Sequence, residues 1–235
     1  MIAPSQAGVI YDRLWAEAES AFQSGRVEID PFLANKADDR RLGLTVIGRP
    51  NPAVNERFIS FLNQVKQVAP GQHFYRGDEF HVTILSLFTA TEAFEPYWNN
   101  RAAYRAAVDQ ALLAGQAFTV GYQGITASKN AIMIQGFAHG PQLNQLRNRL
   151  RQALQGAGLG SELDGRYAIE TAHSTVLRFK SQPLNLPGLL TLLRDNRATD
   201  FGSTTFDELF LVKNDWYMSH DRVVVLASYS LADSP

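Results

Sequence analysis

Two five-residue segments of this chain repeat one pattern: His81-Val82-Thr83-Ile84-Leu85 and His173-Ser174-Thr175-Val176-Leu177. Each is a histidine, one intervening residue, a threonine and then branched apolar residues, a composition that favours the pleated strand. Side chains alternate faces along a strand, so a histidine and a threonine two residues apart project together, while residues 82 and 84, or 174 and 176, point the other way. The chain must therefore build two strands that each present an imidazole beside a hydroxyl.

The surroundings of the two segments also match. Leu42 to Gly48 reads as a buried strand. Asn51 follows as an N-cap with Pro52 at the first helical position, and Val54, Phe58, Phe61, Leu62, Val65 and Val68 recur at helical spacing until Pro70-Gly71. In the second half, Ala131 to Phe137 reads as a strand and Gly140-Pro141 opens a helix carrying Leu143, Leu146, Leu150 and Leu154 on one face. The histidine comes 33 residues after Gly48 in one half and 36 after Phe137 in the other, which points to an internal duplication. Both halves continue alike. A helix from about Glu92 to Leu113, with Tyr104, Val108, Ala111 and Leu112 on one face, leads to a strand at 117–125. A helix opened by Pro187 leads to a strand at about Thr204 to Val212, and a last strand spans Val223 to Leu231.

The expected architecture is α+β. Two lobes, about 42–126 and 127–231 and open to an exchange of strands, form antiparallel-containing sheets that face a central cleft, with helices outside. No polar linker divides residues 42–235. Residues 1–41 stand outside the repeat as an N-terminal extension packed on the core, in which Val9 to Phe22 reads as a helix with Ile10, Leu14 and Ala18 inward.

Composition narrows the function classes. A net charge of −1 argues against a broad electrostatic footprint for nucleic acid, which usually needs a clustered basic excess. No cysteine is present, which removes disulfides, thiolate nucleophiles and cysteine-ligated metals. The N-terminus has no basic region followed by an apolar run, and no stretch approaches ~18 continuous apolar residues, so the expectation is a cytoplasmic monomer away from membranes. Neither motif supplies a further histidine or carboxylate at zinc-ligand spacing, so no metal or cofactor is expected.

Two imidazoles across one cleft can exchange protons near neutral pH, because the unperturbed pKa of histidine is about 6.5. One takes a proton from an attacking water and the other gives one to a departing ester oxygen, assistance typically worth about 10²–10⁴-fold. The hydroxyls of Thr83 and Thr175 can donate to non-bridging phosphate oxygens. Arg178 can neutralise charge there, although strand parity places it on the face opposite His173 and Thr175 unless a bulge re-aims it.

The paired His-x-Thr-x-Φ motifs (Φ apolar), 92 residues apart in matching contexts, resemble those of the two-histidine (2H) phosphoesterase superfamily, which includes 2′-5′ RNA ligase-like proteins and cyclic phosphodiesterases. The resemblance covers roughly Leu42 to Leu231. It implies a bilobal fold with His81, Thr83, His173 and Thr175 at the catalytic positions, and Arg178 where the second motif of the RNA ligase-like branch often ends in arginine. It implies metal-independent hydrolysis of a cyclic phosphodiester, a 2′,3′-cyclic phosphate or a 2′-5′-linked nucleotide, on a small nucleotide or RNA end. RNA ligation would be the reverse of the same chemistry. A nucleotide-binding module without turnover and a phosphodiesterase for a non-nucleotide metabolite are the competing classes.

Three histidines, His73, His139 and His220, lack a repeated context and read as surface or loop residues, and Arg76-Gly77-Asp78 reads as a turn. The loop Asn214 to Asp221 carries Trp216 and Tyr217, an aromatic edge expected to stack on a base and bind substrate.

Overall fold

Local capping signals place most of the elements where the sequence puts them. The computed structural model describes residues 5–161, 163 and 169–233. Helix α1 (Gln6–Gln23) is capped by Ser5, whose hydroxyl accepts from the amide of Gly8, and it buries Tyr11, Ala18, Ala21 and Phe22. Ile10 and Leu14, expected inward, are half-buried, because the buried stripe is centred on Tyr11. The Tyr11 hydroxyl donates to the carbonyl of Gly136 and accepts from its amide, at 2.9 and 3.1 Å, which fastens the helix to the sheet beneath. Two single-turn 3₁₀ segments, Pro31–Leu33 and Lys36–Asp38, carry the chain to strand β1 (Leu42–Gly48).

Helix α2 (Pro52–Val68) starts as read, with Asn51 accepting from the amide of Val54, and it buries Val54, Phe58, Phe61, Leu62 and Val65. A two-residue strand β2 (His73–Phe74), which no periodicity signals, precedes β3 (Val82–Thr91). The helix expected over 92–113 is two helices, α3 (Glu95–Asn99) and α4 (Arg101–Leu112). They part at Asn100, whose side-chain amide turns back to donate to the Pro96 carbonyl. Then follow β4 (Phe118–Ser128), β5 (Ala131–His139), α5 (Gln142–Gly156), β6 (Ser174–Arg178) and α6 (Leu186–Asp195).

The strand expected at about Thr204 to Val212 is two strands in different sheets, β7 (Asp200–Phe206) and β8 (Glu208–Asp215), joined at Asp207. No glycine or proline marks the switch. It is set by tertiary pairing: β7 lies beside β4, with Phe206 opposite Phe118, whereas β8 lies between β1 and the final strand β9 (Val224–Ser230).

Both sheets are paired antiparallel throughout. The first has the order β3-β1-β8-β9 and the second β2-β6-β5-β4-β7. Matching β3, β1, β8 and β9 onto β6, β5, β4 and β7 superposes the two orders, with each histidine motif on the outer neighbour of the strand that opens its half. Strands are exchanged in the process: β2 and β4 of the first half join the second sheet, and β8 and β9 of the second half join the first. On β1, Leu44 and Val46 join the main core with the buried faces of the helices. Ile47, on the alternate face, packs with Val212 and Met218 in a separate small cluster.

Candidate active site

The two motif strands carry the same defect at the same place. On β3, Leu85 pairs with Val46 and Thr83 with Ile47, so Ile84 has no partner of its own. On β6, Leu177 pairs with Ile132 and Thr175 with Met133, so Val176 is the extra residue. Each is a β-bulge three residues after the histidine, and a bulge resets which side chains face which way. His81, Thr83 and Ser86 are half-buried while Val82, Ile84 and Leu85 are buried; His173, Thr175 and Arg178 repeat that pattern over Ser174, Val176 and Leu177. The parity that would send Arg178 to the opposite face is thereby reversed. All six half-buried residues line one cavity of about 180 Å³, closed by Thr45 of β1, Asn214 of β8, Tyr75, and Trp216 and Met218 of the β8–β9 turn.

The carbonyls of both bulge residues are hydrogen-bonded on the side away from the irregular pairing. Val176 accepts from the amide of Tyr75 at 3.0 Å. Ile84 accepts from Nε of the buried Arg147 at 2.9 Å. Behind His173, the carbonyl of Ala172 lies so close to Gly136 that a Cβ there would overlap it, so the β5 glycine lets the second motif seat against the sheet.

Each imidazole is oriented through Nδ1. On His81 it pairs with the carbonyl of Glu79 at 2.8 Å; a carbonyl only accepts, so Nδ1 carries the proton and the neutral ring leaves Nε2 bare. The Glu79 carboxylate in turn accepts from the amides of Arg76 and His220, which ties the turn before His81 to the β8–β9 turn. On His173, Nδ1 pairs with the hydroxyl of Thr171 at 2.9 Å. Burial pushes both rings down to about 4; the cations of Arg49 and Arg178 add to the effect on His81, and the ring of His81 with Arg147 and Arg178 add to that on His173.

Arg178 is held beside the cavity by Tyr75, whose hydroxyl accepts from its Nε at 3.0 Å, and its Cζ lies 5.8 Å from the ring of Trp216. Arg41 sits 4.5 Å from the same ring and is fixed by two hydrogen bonds to the carboxylate of Asp39, of 2.9 and 2.7 Å. Trp216 thus serves as a stacking partner for guanidinium groups at the cavity wall. Tyr217 departs from its expected place: it is fully buried, packed against the ring of His73 and beneath the ammonium of Lys36, with no face toward the cavity. The turn alternates, so only one of two adjacent aromatics faces the cleft. His73 is likewise no surface residue. It pairs on β2 with Arg178 of β6, and burial, with the charges of Lys36 and Arg178, pushes it down to about 4. His139 and His220 are exposed, and 77–79 form the expected turn.

Sequence reasoning missed Ser86, which the bulge brings to the cavity, and Arg147. A signal for the second was present: position 147 falls four residues after Leu143 and three before Leu150, inside the apolar stripe of α5. Among the described residues no three His, Cys, Asp or Glu side chains converge as a metal site, and no helix is long and apolar enough to cross a membrane.

No family model and no curated protein matches the sequence. Solved structures do match the fold. TT0787 of Thermus thermophilus is 17% identical with a TM-score of 0.60, the match covering 82% of this chain and 100% of that one. A crystal structure described as a phosphoesterase is 15% identical with a TM-score of 0.55, covering 81% and 98%. LigT of E. coli in apo form is 16% identical with a TM-score of 0.54, covering 82% and 99%. LigT has also been solved with ATP, with 3′-AMP and with phosphate. With its two exchanged antiparallel sheets, this chain shares the fold of TT0787, of that phosphoesterase structure and of LigT.

Proposed function

We propose that this chain is a metal-independent phosphodiesterase that hydrolyses a cyclic phosphodiester on a nucleotide or RNA end. The observation that carries the reading is the placement of two His-x-Thr pairs and one arginine around a single cavity by two equivalent bulges. Neutral His81, with its proton fixed on Nδ1, has Nε2 free to accept a proton from water, and His173 supplies the second proton-transferring group for the departing ribose oxygen. Thr83 and Thr175 donate to the non-bridging oxygens, and Arg178 offsets the charge that builds there. At about 180 Å³ the cavity is below the usual range of roughly 300–1,000 Å³ for a site that engulfs a whole ligand. It suits a phosphate with part of its ribose, leaving the base at the rim. The nucleotides and phosphate seen with LigT support the same substrate class.

The test is a turnover panel of nucleoside 2′,3′-cyclic phosphates, 2′-5′-linked dinucleotides, ADP-ribose cyclic phosphate and non-nucleotide cyclic esters, run with and without a chelator. Hydrolysis of a nucleoside 2′,3′-cyclic phosphate or of ADP-ribose cyclic phosphate that survives EDTA supports the proposal, whereas activity confined to the 2′-5′-linked dinucleotides would replace the cyclic ester by an open phosphodiester. Activity confined to the last class would replace the nucleotide by another metabolite. Binding of nucleotides without turnover of any compound would make the chain a binding module.

A further inference from the structure

A buried cation joins the two motifs. Arg147 projects from α5, a helix of the second half, and only 1% of its surface is exposed. Its guanidinium crosses to the first sheet, where Nε donates to the carbonyl of Ile84 and Nη2 to that of Thr83, at 2.9 and 3.0 Å. The same Nη2 donates to the carbonyl of Thr171 at 2.7 Å. These acceptors are not arbitrary. Ile84 is the extra residue of the first bulge, Thr83 carries one of the two motif hydroxyls that line the cavity, and Thr171 holds Nδ1 of His173 with its own side chain.

We infer that Arg147 is the positioning residue of the site: by binding three carbonyls on two chain segments it fixes the first bulge and sets the His81 strand against the His173 strand. Burying a guanidinium is costly, and an apolar residue of similar size often serves stability as well or better. What an apolar residue cannot do is donate along two directions at once from a planar fork. The second bulge needs no such group, because the carbonyl of Val176 is met by the main-chain amide of Tyr75. The first lies on the outermost strand of its sheet, and α5 supplies the donor in place of a neighbouring main chain.

The kinetic part of the test rests on the phosphodiesterase reading above; a second readout does not. Arg147→Lys keeps a cation but concentrates it on one flexible nitrogen, which cannot serve both segments. On whichever panel compound the wild type hydrolyses, kcat should fall about 100-fold, the loss typical of a misplacement of about 1 Å. KM should stay within about threefold, because Arg178 still holds the anion. Leu150→Ala, on the same buried stripe of α5, lowers stability without touching a carbonyl and should leave kcat per folded molecule within about twofold. If Arg147→Lys does not fold, Arg147→Met takes its place with the same expected kinetic loss.

Independently of turnover, the ring nitrogens of His81 and His173 can be followed by ¹⁵N NMR from about pH 3 to about pH 8. Both sets of resonances should move in either arginine variant. His173 faces His81, Arg147, Arg178 and the Thr171 hydroxyl, so loss of one cation in Arg147→Met should also raise the pH at which His173 titrates. A loss of kcat no larger than that of Leu150→Ala, or rings that stay unmoved in a folded variant, would overturn the inference. If the wild type turns over nothing in the panel, the proposed function fails while the ring resonances still decide the role of Arg147.

Discussion

An imidazole that titrates near 4 is a poor general acid at neutral pH, yet the proposed reaction needs one. The substrate resolves this. In the empty cavity at about pH 6 both rings are neutral, because burial holds them at about 4. An anion seated against Thr83, Thr175 and Arg178 places negative charge about 4 Å from an imidazole, and at an effective dielectric constant of about 20 one unit charge there is worth about 4 kcal/mol. One pKa unit is about 1.4 kcal/mol, so one ring should rise by about 3 units, to about 7. The second ring then faces a charged neighbour and stays neutral, so the pair takes up one proton and not two. Sulfate is a suitable probe because it does not itself titrate near pH 6. Titration calorimetry of sulfate binding at about pH 6, in two buffers of different ionisation enthalpy, should report uptake of nearly one proton, and the variant carrying both His81→Asn and His173→Asn should report none. Zero uptake by the wild type would refute the reasoning, since the acid would then have to come from elsewhere.

Stability should fall on the acid side: His73, His81 and His173 titrate near 4 when folded against 6.5 otherwise, so the unfolded chain binds more protons between those values. The effect is absent above about pH 6.5 and reaches at most about 3 kcal/mol per histidine below pH 4, and urea midpoints that do not drop between about pH 7 and pH 4.5 would contradict it. His81→Ala and His173→Ala should each nearly abolish hydrolysis, with the double variant little worse than either, as measured by single-turnover rates. Tyr217→Ala should cost about 3–5 kcal/mol in denaturant unfolding, as for other buried aromatics. Trp216→Ala should instead leave the fold intact and raise KM by loosening Arg178; equal losses of stability in the two would show that both rings belong to the core.

The parts of the fold that follow from local chemistry could be read directly. Asn51 and Pro52 start a helix because a side-chain oxygen and a preset φ do so in any context, and the apolar stripe of α2 then fixes its buried face. The histidine and threonine pairs were legible for a similar reason: one residue separates the members of each pair, so in extended chain they face one way, and they do so although each histidine stands immediately before the first residue of β3 or β6. What eluded the sequence lies where tertiary pairing overrides alternation. A bulge at Val176 leaves no composition signal, yet it alone decides that Arg178 meets His173. Asp207 separates strands of two different sheets with nothing but an aspartate at the switch. His73 and Tyr217 look like loop residues because their burial comes from each other and from the segment around Lys36, far away in the chain. Arg147 is charged in a position where periodicity demands an apolar residue, and conflicts of that kind are where function should be sought.

The exchange of strands also bears on synthesis. The second sheet has all its strands once residue 206 has emerged from the ribosome, but the first has only β3 and β1 until Glu208–Asp215 arrives to cover the open edge of β1. A two-stranded ribbon is marginal by itself, and an uncovered edge invites pairing with other chains. The nascent protein therefore carries a finished lobe and an unfinished one for the time it takes to add the last strands, and the His81 side of the cavity is the part left waiting. Cutting the gene between codons 129 and 130, in the turn from β4 to β5, should accordingly yield two fragments that are each insoluble alone and that assemble into one folded particle when produced together.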